Sequence, residues 1–477
     1  MKNILNVALL GAALSVFSSL AVAQESQLDL IAKGKLVATA ADCQACHTNP
    51  EGGRPFSGDY AIHSPMGTIY TTNITPSKQF GIGNYTLQQF SRAVREGVRP
   101  DGENLYPAMP YTSYSHMSDE DIQAMYAYFQ LGVKPVEQPT KQTALPFPFN
   151  MRIAMAGWNM MYLDSAAFKP DATKSAEWNR GAYLVNGAGH CDTCHTPRNL
   201  MMGSVIGQPL AGGMVGPWYA PNISSDPVSG IGNWSQAQLV EYLKTGRTVG
   251  KNQAAGPMAE AVQNSLQYLP DADLNAIAFY LKNAPAVRDP ADKQAADSFG
   301  SRKVNVEEGL RGVHPSNANN TITGGAALFS GYCASCHQPD GGGSKNQAYP
   351  SLYNNTATGL TNASNLISTI LYGVDRQVGD EHVLMPKFGE GSYVAQLTDA
   401  QIADISNYVL TNFGNPQIQV TTLDVAVLRG GGPVTLLAKL QPYMAPAMVI
   451  GVIVVLALIF WLFRRRQARQ KLAHADK

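Results

Sequence analysis

The sequence predicts a mainly α chain made of three consecutive units on one plan, closed by a single C-terminal transmembrane helix. Two observations carry this. The motif C-x-x-C-H occurs three times, as Cys43-Gln44-Ala45-Cys46-His47, Cys191-Asp192-Thr193-Cys194-His195 and Cys333-Ala334-Ser335-Cys336-His337. Residues 441–463 carry no charge and are followed at once by Arg464-Arg465-Arg466. C-x-x-C-H is the signature of c-type haem attachment, with two thiols forming thioethers on the porphyrin and the histidine binding iron. A zinc knuckle or a redox dithiol is the alternative for one isolated motif. Here all 6 cysteines of the chain fall in such motifs, each pair followed by histidine, so three covalently bound haem c groups are expected.

The first residues set the compartment. Lys2 precedes an apolar run, and Ala21-Val22-Ala23 supplies the small-x-small pattern of signal cleavage, so residues 1–23 read as a signal peptide. Lys+Arg and Asp+Glu both number 35 and charged residues are only 15%, a balance without the basic surface that nucleic-acid binding needs.

The first unit is expected over 24–134. Leu30, Ile31, Leu36 and Val37 have helical spacing and lead into the Cys43 motif. Leu87, Phe90 and Val94 mark a second short helix, and Ser118-Asp119-Glu120-Asp121 opens a closing helix with Ile122, Met125, Tyr126 and Phe129 inward. Pro-rich residues 135–172 read as a connector, in which Met151 to Phe168 is apolar enough to pack between units.

The second unit, 173–284, repeats the first in recognisable words. Asn222-Ile223-Ser224 answers Asn73-Ile74-Thr75, and Gly230-Ile231-Gly232-Asn233-Trp234 answers Gly81-Ile82-Gly83-Asn84-Tyr85. Both asparagines stand in glycosylation sequons, but their fixed register to the cysteine motifs favours turns beside a haem. Leu274, Ile277, Ala278 and Leu281 mark its closing helix. After a connector at 285–320, the third unit at 321–415 keeps the frame, with Thr398-Asp399-Ala400-Gln401 as a capping box before Ile402, Ile405 and Val409.

The sixth iron ligand decides between carrier and catalyst. Met109 follows Gly97 by 12 residues, Met258 follows Gly246 by 12, and Met385 follows Gly373 by 12. Among 16 methionines, mostly core filler, a shared register in three repeats points to axial thioether ligands opposite His47, His195 and His337. His63, His116 and His382, and more weakly Met66 and Met214, are the competitors. Proximal histidines need a hydrogen-bond acceptor, and carbonyls near Pro55, Pro209 and Pro350 are the candidates, with Arg54 and Arg198 read either as propionate partners or as solvated surface residues. Closed six-coordinate iron argues against a peroxidase or reductase in this chain.

Residues 416–440 form a juxtamembrane segment, 441–463 the spanning helix and 464–477 a basic tail. The positive-inside rule puts that tail in the cytoplasm and the bulk of the chain in the periplasm, on a bacterial inner membrane.

In Tyr70-Thr71-Thr72-Asn73-Ile74-Thr75, Tyr106-Pro107-Ala108-Met109-Pro110 and His195-Thr196-Pro197-Arg198-Asn199, the chain resembles the trihaem cytochrome c subunits of membrane-bound dehydrogenases of acetic acid bacteria. The alcohol dehydrogenase subunit is the nearest in character, beside those for gluconate, sorbitol and aldehyde. The resemblance covers nearly the whole mature chain. It implies three class I cytochrome c domains, a periplasmic dehydrogenase partner with pyrroloquinoline quinone or flavin (FAD), and transfer of its electrons to ubiquinone, with no substrate oxidation by this chain. An electron-transfer module of a terminal oxidase or another respiratory complex is the alternative.

Overall fold

Glycine sets the architecture at three equivalent helix crossings. In a computed structural model that describes residues 26–64, 66–303 and 322–475, each of three segments opens on a helix that crosses its own closing helix at a glycine. A methyl group on Gly34 would overlap the carbonyl oxygen of Ala124, one on Gly181 that of Ala276, and one on Gly325 that of Asp404. Tyr128, Tyr280 and Tyr408, each four residues further along, flank the crossings. Only a residue without Cβ allows so close an approach of two backbones. The expected signal peptide and the later part of the 285–320 connector lie outside the described residues.

The helices form where apolar periodicity and caps coincide. Leu87–Glu96, Gln236–Thr245 and Asp399–Phe413 each begin at a reciprocal capping box, Thr86 with Gln89, Ser235 with Gln238 and Thr398 with Gln401. Ser118 caps Asp119–Ala127 by accepting from the Asp121 backbone N–H, as its sequence predicts. The closing helix Asp271–Asn283 buries Leu274, Ile277, Ala278 and Leu281, and the third buries Ile402, Ile405 and Val409.

Strands are few and short: four two-stranded antiparallel hairpins among the described residues. Ala61–Ser64 pairs with Gly67–Tyr70 and Gly213–Val215 with Trp218–Ala220. Arg247–Thr248 pairs with Asn252–Gln253 and Val374–Val378 with Glu381–Met385. The shared 12-residue register therefore carries three different local structures. Met109 lies in a turn before a short helix at Tyr111–Tyr114, Met258 in the first turn of Gly256–Asn264, and Met385 at the end of a strand.

The first two segments share one continuous apolar core, in which Val37, Phe90 and Ile122 join Leu184, Val185 and Leu274. The third has a core of its own around Leu328, Phe329, Ile367, Ile402 and Phe413. Residues 135–172 are no loose connector. Val136 and Leu145 are buried, and the helix Ile153–Tyr162 wedges Trp158 between segments, its indole donating to the Met201 carbonyl at 2.8 Å.

At the far end Thr422–Arg429 packs Val425 and Leu428 into the third core. A 40-residue helix, Leu436–Ala475, follows, with Pro442 and Pro446 in its early turns. Its stretch Leu436–Gln467 contains an apolar window that the rest of the chain leaves unburied, and it is long enough to cross a ~30 Å hydrocarbon layer. Arg464 and Arg465 fold back over the Phe460 and Trp461 rings at 5.3 and 5.1 Å, an interfacial arrangement of aromatic and cation.

Candidate haem sites

Each C-x-x-C-H motif forms a short helical turn, Cys43–His47 in the first segment, with Asp192–His195 and Ala334–His337 its counterparts. The chain then doubles back in the same way three times: Gly58 N–H donates to the His47 carbonyl, Gly212 to that of His195 and Gly343 to that of His337. This brings a later carbonyl against each imidazole. Nδ1 of His47 lies 2.7 Å from the Thr72 oxygen, Nδ1 of His195 2.6 Å from the Pro221 oxygen and Nδ1 of His337 2.9 Å from the Pro350 oxygen. Burial lowers the pKa of all three rings, partly offset by these carbonyls. A carbonyl can only accept, so each Nδ1 is the protonated, donating nitrogen, and Nε2 is the atom that could bind a metal.

The expected acceptor at Pro350 is where the structure places it, but those near Pro55 and Pro209 are not. The Ala61–Tyr70 and Gly213–Ala220 hairpins intervene in the first two segments, so the acceptor there is the residue just before the Asn-Ile-Thr and Asn-Ile-Ser words. The third segment has no such hairpin and reaches its histidine directly through Pro350.

Those words are the clamps of the acceptor turn. Asn73 accepts from the Thr75 backbone and hydroxyl at 2.9 and 2.7 Å, and its amide donates to the Val136 carbonyl at 2.8 Å. Asn222 accepts from Ser224 N–H at 2.9 Å and donates to the Val287 carbonyl at 2.7 Å. Both are buried with their amides engaged, which leaves no place for a glycan. Arg198 also has a local task. It donates to the Thr193 carbonyl at 2.6 Å and to Ser204 Oγ at 3.0 Å, bracing the second motif. Arg54 is exposed.

Burial pushes the thiols of Cys43, Cys46, Cys191 and Cys333 up to about 12 and that of Cys194 to about 11. In the second segment Cys191, Cys194, His195 and Met258 line one cavity of about 240 Å³, walled by Trp218, Trp234, Leu239, Leu243, Ile277 and Leu281. Two thiols, an imidazole with its outer nitrogen fixed, a thioether and apolar walls are the donor set and shape a covalently held porphyrin requires. In the other segments Cys43 and Met109, and Cys333 and Met385, pack on the apolar cluster of their own region.

None of the competing residues lines the second-segment cavity. His63 sits 3.1 Å from Thr68 Oγ1 in an exposed hairpin, His116 lies 2.8 Å from the Ala166 carbonyl, and His382 lies 2.8 Å from Asp375 on the surface. The Met214 sulfur accepts from Asn362 at 3.7 Å, and Met66 lies in a hairpin turn.

Sequence reasoning missed how closely the first two sites are joined. Ser113, four residues after Met109, donates to Asp192 of the second motif at 2.8 Å, and the Cys43–His47 turn packs against Gly256–Asn264, the helix carrying Met258. Each cysteine motif thus touches the methionine-bearing stretch of the other segment. Tyr114 reinforces the exchange, its hydroxyl donating to the Ala41 carbonyl at 2.6 Å while its ring meets His190 edge-on.

Comparison with known proteins agrees with this geometry. Residues 322–413 match the cytochrome c family, and residues 29–129 match the family described as cytochrome c oxidase, cbb3-type, subunit III. The chain is 48% identical over 446 residues to the fructose dehydrogenase cytochrome subunit of Gluconobacter japonicus, covering 92% of each protein. It is 40% identical to the alcohol dehydrogenase (quinone) cytochrome c subunit of Gluconacetobacter polyoxogenes, over 91% of this chain and 92% of that one. With the gluconate 2-dehydrogenase cytochrome c subunit of Pantoea cypripedii it shares 37% identity, over 88% and 94%. A mainly helical chain with haem-attachment turns, matched along nearly its whole length by such subunits, belongs to the family of cytochrome c subunits of dehydrogenase complexes, electron-transfer proteins with covalently bound haem c.

Proposed function

We propose that this chain is a three-haem relay, taking electrons from a periplasmic dehydrogenase that uses pyrroloquinoline quinone or FAD and delivering them to ubiquinone in the inner membrane. Cys43 and Cys46, Cys191 and Cys194, and Cys333 and Cys336 attach the three groups. His47 with Met109, His195 with Met258 and His337 with Met385 would hold the three irons. The observation that carries the reading is the second-segment cavity, where both thiols, the histidine and the methionine meet. Haem bound there supplies a one-electron couple. The chain's part is to exclude water from both faces, to orient each imidazole through the carbonyls of Thr72, Pro221 and Pro350, and to hold the first two sites against each other.

The partner oxidises an alcohol or aldehyde, as the family resemblance and the name of the relative at 40% identity suggest, or a sugar or sugar acid, as the names of the relatives at 48% and 37% identity suggest. The helix Leu436–Ala475 anchors the chain once, with its arginines in the cytoplasm and the haem segments outside. The test is to produce the chain alone with haem attached and count three haems per chain. Alcohols, sugars and sugar acids should leave it oxidised, while the reduced protein should be reoxidised by a ubiquinone analogue. Reduction by substrate alone overturns the relay reading. Reoxidation only by an oxidase favours a second reading, a module of a respiratory oxidase, which the match of residues 29–129 supports.

A further inference from the structure

The second haem site is finished by a residue of the third segment. The hairpin Val374–Val378/Glu381–Met385 lies along the Gly256–Asn264 helix that carries Met258. Gln377 N–H donates to Gln263 Oε1 at 2.8 Å and Gly379 N–H to Gln267 Oε1 at 3.0 Å. Between these seams Arg376 enters the second segment. It is 1% exposed, and its Nη1 donates to the Ala254 carbonyl. Its stem and guanidinium fill the space over Gly246, where an added Cβ would stand 2.8 Å from Nε.

No carboxylate pairs with this cation among the described residues. Its Nε has no hydrogen-bond partner, and the nearby Glu381 is held by Arg247 at 2.9 Å. Tyr242, the other polar neighbour, is kept neutral, its pKa pushed up to about 12 by burial. Arg376 is thus a buried cation with no direct ion-pair partner among the described residues, its pKa lowered by burial, an effect offset only in part by Glu381 at longer range. Tyr242, Gln253 and Ala255 all line the cavity of the second site, so the guanidinium on Ala254 lies directly behind its wall.

A fixed positive charge beside a redox site favours the form with one positive charge fewer, the reduced one. We propose that Arg376 is a potential-setting residue for the haem site of His195 and Met258, so that the third segment, by docking, raises the electron affinity of the second. The first site differs at the equivalent position. Over Gly97, the equivalent of Gly246, lies the neutral ring of Tyr111, from the same segment.

The proposal rests on His195 and Met258 holding a haem, and the experiment separates the two claims. The full chain, in detergent with haem attached, is titrated spectroelectrochemically as wild type, Arg376→Gln, Arg376→Lys and Met258→Ala. Loss of part of the sulfur-to-iron absorption in Met258→Ala identifies the component belonging to the second site; if nothing is lost there, the ligand assignment is wrong rather than the role of Arg376. With that component known, Arg376→Gln should raise its oxidised-to-reduced ratio at a fixed potential about tenfold, the effect of one partly screened charge. The other two components should stay put, and Arg376→Lys should remain near wild type. An unmoved component in Arg376→Gln, an equal shift in Arg376→Lys, or loss of the sulfur-to-iron band in Arg376→Gln would each overturn the proposal.

Discussion

The first two segments and the third carry the same motif in opposite kinds of setting. The pair is fused: one apolar core runs through both, Ser113 reaches Asp192, and Tyr183 donates to Asp121 at 2.6 Å. The third segment is a body with its own core, touching the pair through polar seams such as Asn365 with the Tyr219 backbone at 2.8 and 3.0 Å and Ser368 with the Pro217 carbonyl at 2.7 Å, beside small apolar contacts of Met214 with the third core and of Val378 with Ala254, Ala259 and Val262. A haem-attachment turn therefore does not dictate how independent its surroundings are. Sharing of apolar surface does, because removing that surface from water drives folding more than anything else, and polar seams are worth little net.

The largest expected effect follows from cutting the chain. Separating residues 24–172 from 173–300 exposes Leu184, Val185 and their partners to water, so neither piece should keep a stable haem fold, whereas residues 322–435 should fold alone and hold one haem. Haem retention and cooperative unfolding of the three pieces check this, and two stable halves of the pair would break the comparison. A second cut, after Leu440, should release a haem-bearing protein into the soluble periplasmic fraction; retention on washed membranes would mean that another surface anchors it.

Smaller effects come from the helix crossings. Gly325→Val should destabilise the third segment by about 3 kcal/mol, as overpacking against a backbone carbonyl does, and leave the unfolding of the pair unchanged. Gly181→Val should disturb both members of the pair together. Denaturant unfolding followed at each haem distinguishes a local from a shared loss.

The smallest effect distinguishes the two members of the pair. Each acceptor turn is tied to the strap behind its closing helix, by Ser77 to Glu137 at 2.7 Å in the first and by Asp226 to Arg288 at 2.7 Å in the second. Burial raises the Asp226 carboxyl, but the Arg288 guanidinium and the backbone N–H groups of Ser229 and Val228 outweigh it and hold its pKa below the usual range. A depressed carboxyl contributes stability above its unfolded pKa of about 4 and loses it as pH falls through the folded value. Asp226→Asn should cost about 1 kcal/mol at pH 7, since Arg288 is half exposed, and the gap from wild type should close below about pH 4. Ser77→Ala should show a loss without that dependence, and unfolding series at pH 3 to 7 compare them.

What the sequence disclosed follows from physical range. The cysteine motifs, the closing-helix faces at Ile122, Leu274 and Ile402, the caps at Ser118 and Thr398 and the apolar span after Leu440 are local patterns, legible within one or two turns of chain. The hairpins are not legible, because strands of two to five residues are too short to show a period. Missing them misplaces the partners of His47 and His195, while Pro350, with no hairpin before it, is found. The fused core and the entry of Arg376 into the second segment depend on contacts between residues far apart in sequence, and no spacing rule reports those. The crossing glycines are visible in all three units as Gly34, Gly181 and Gly325, and a glycine in the helix leading into each cysteine motif is the signal that could have located the crossings.

The straps give the histidines a dependence on time. Thr72, which orients His47, belongs to a turn that Asn73 ties to the carbonyl of Val136, a residue lying beyond the closing helix of its segment. Pro221 and His195 stand in the same relation to Asn222 and Val287. A chain emerging from its amino end presents the cysteines long before the residues that pin the imidazole. Attachment of the porphyrin can therefore meet a pliant histidine, and the rigid geometry of the finished site is imposed afterwards, when the strap arrives and closes behind it.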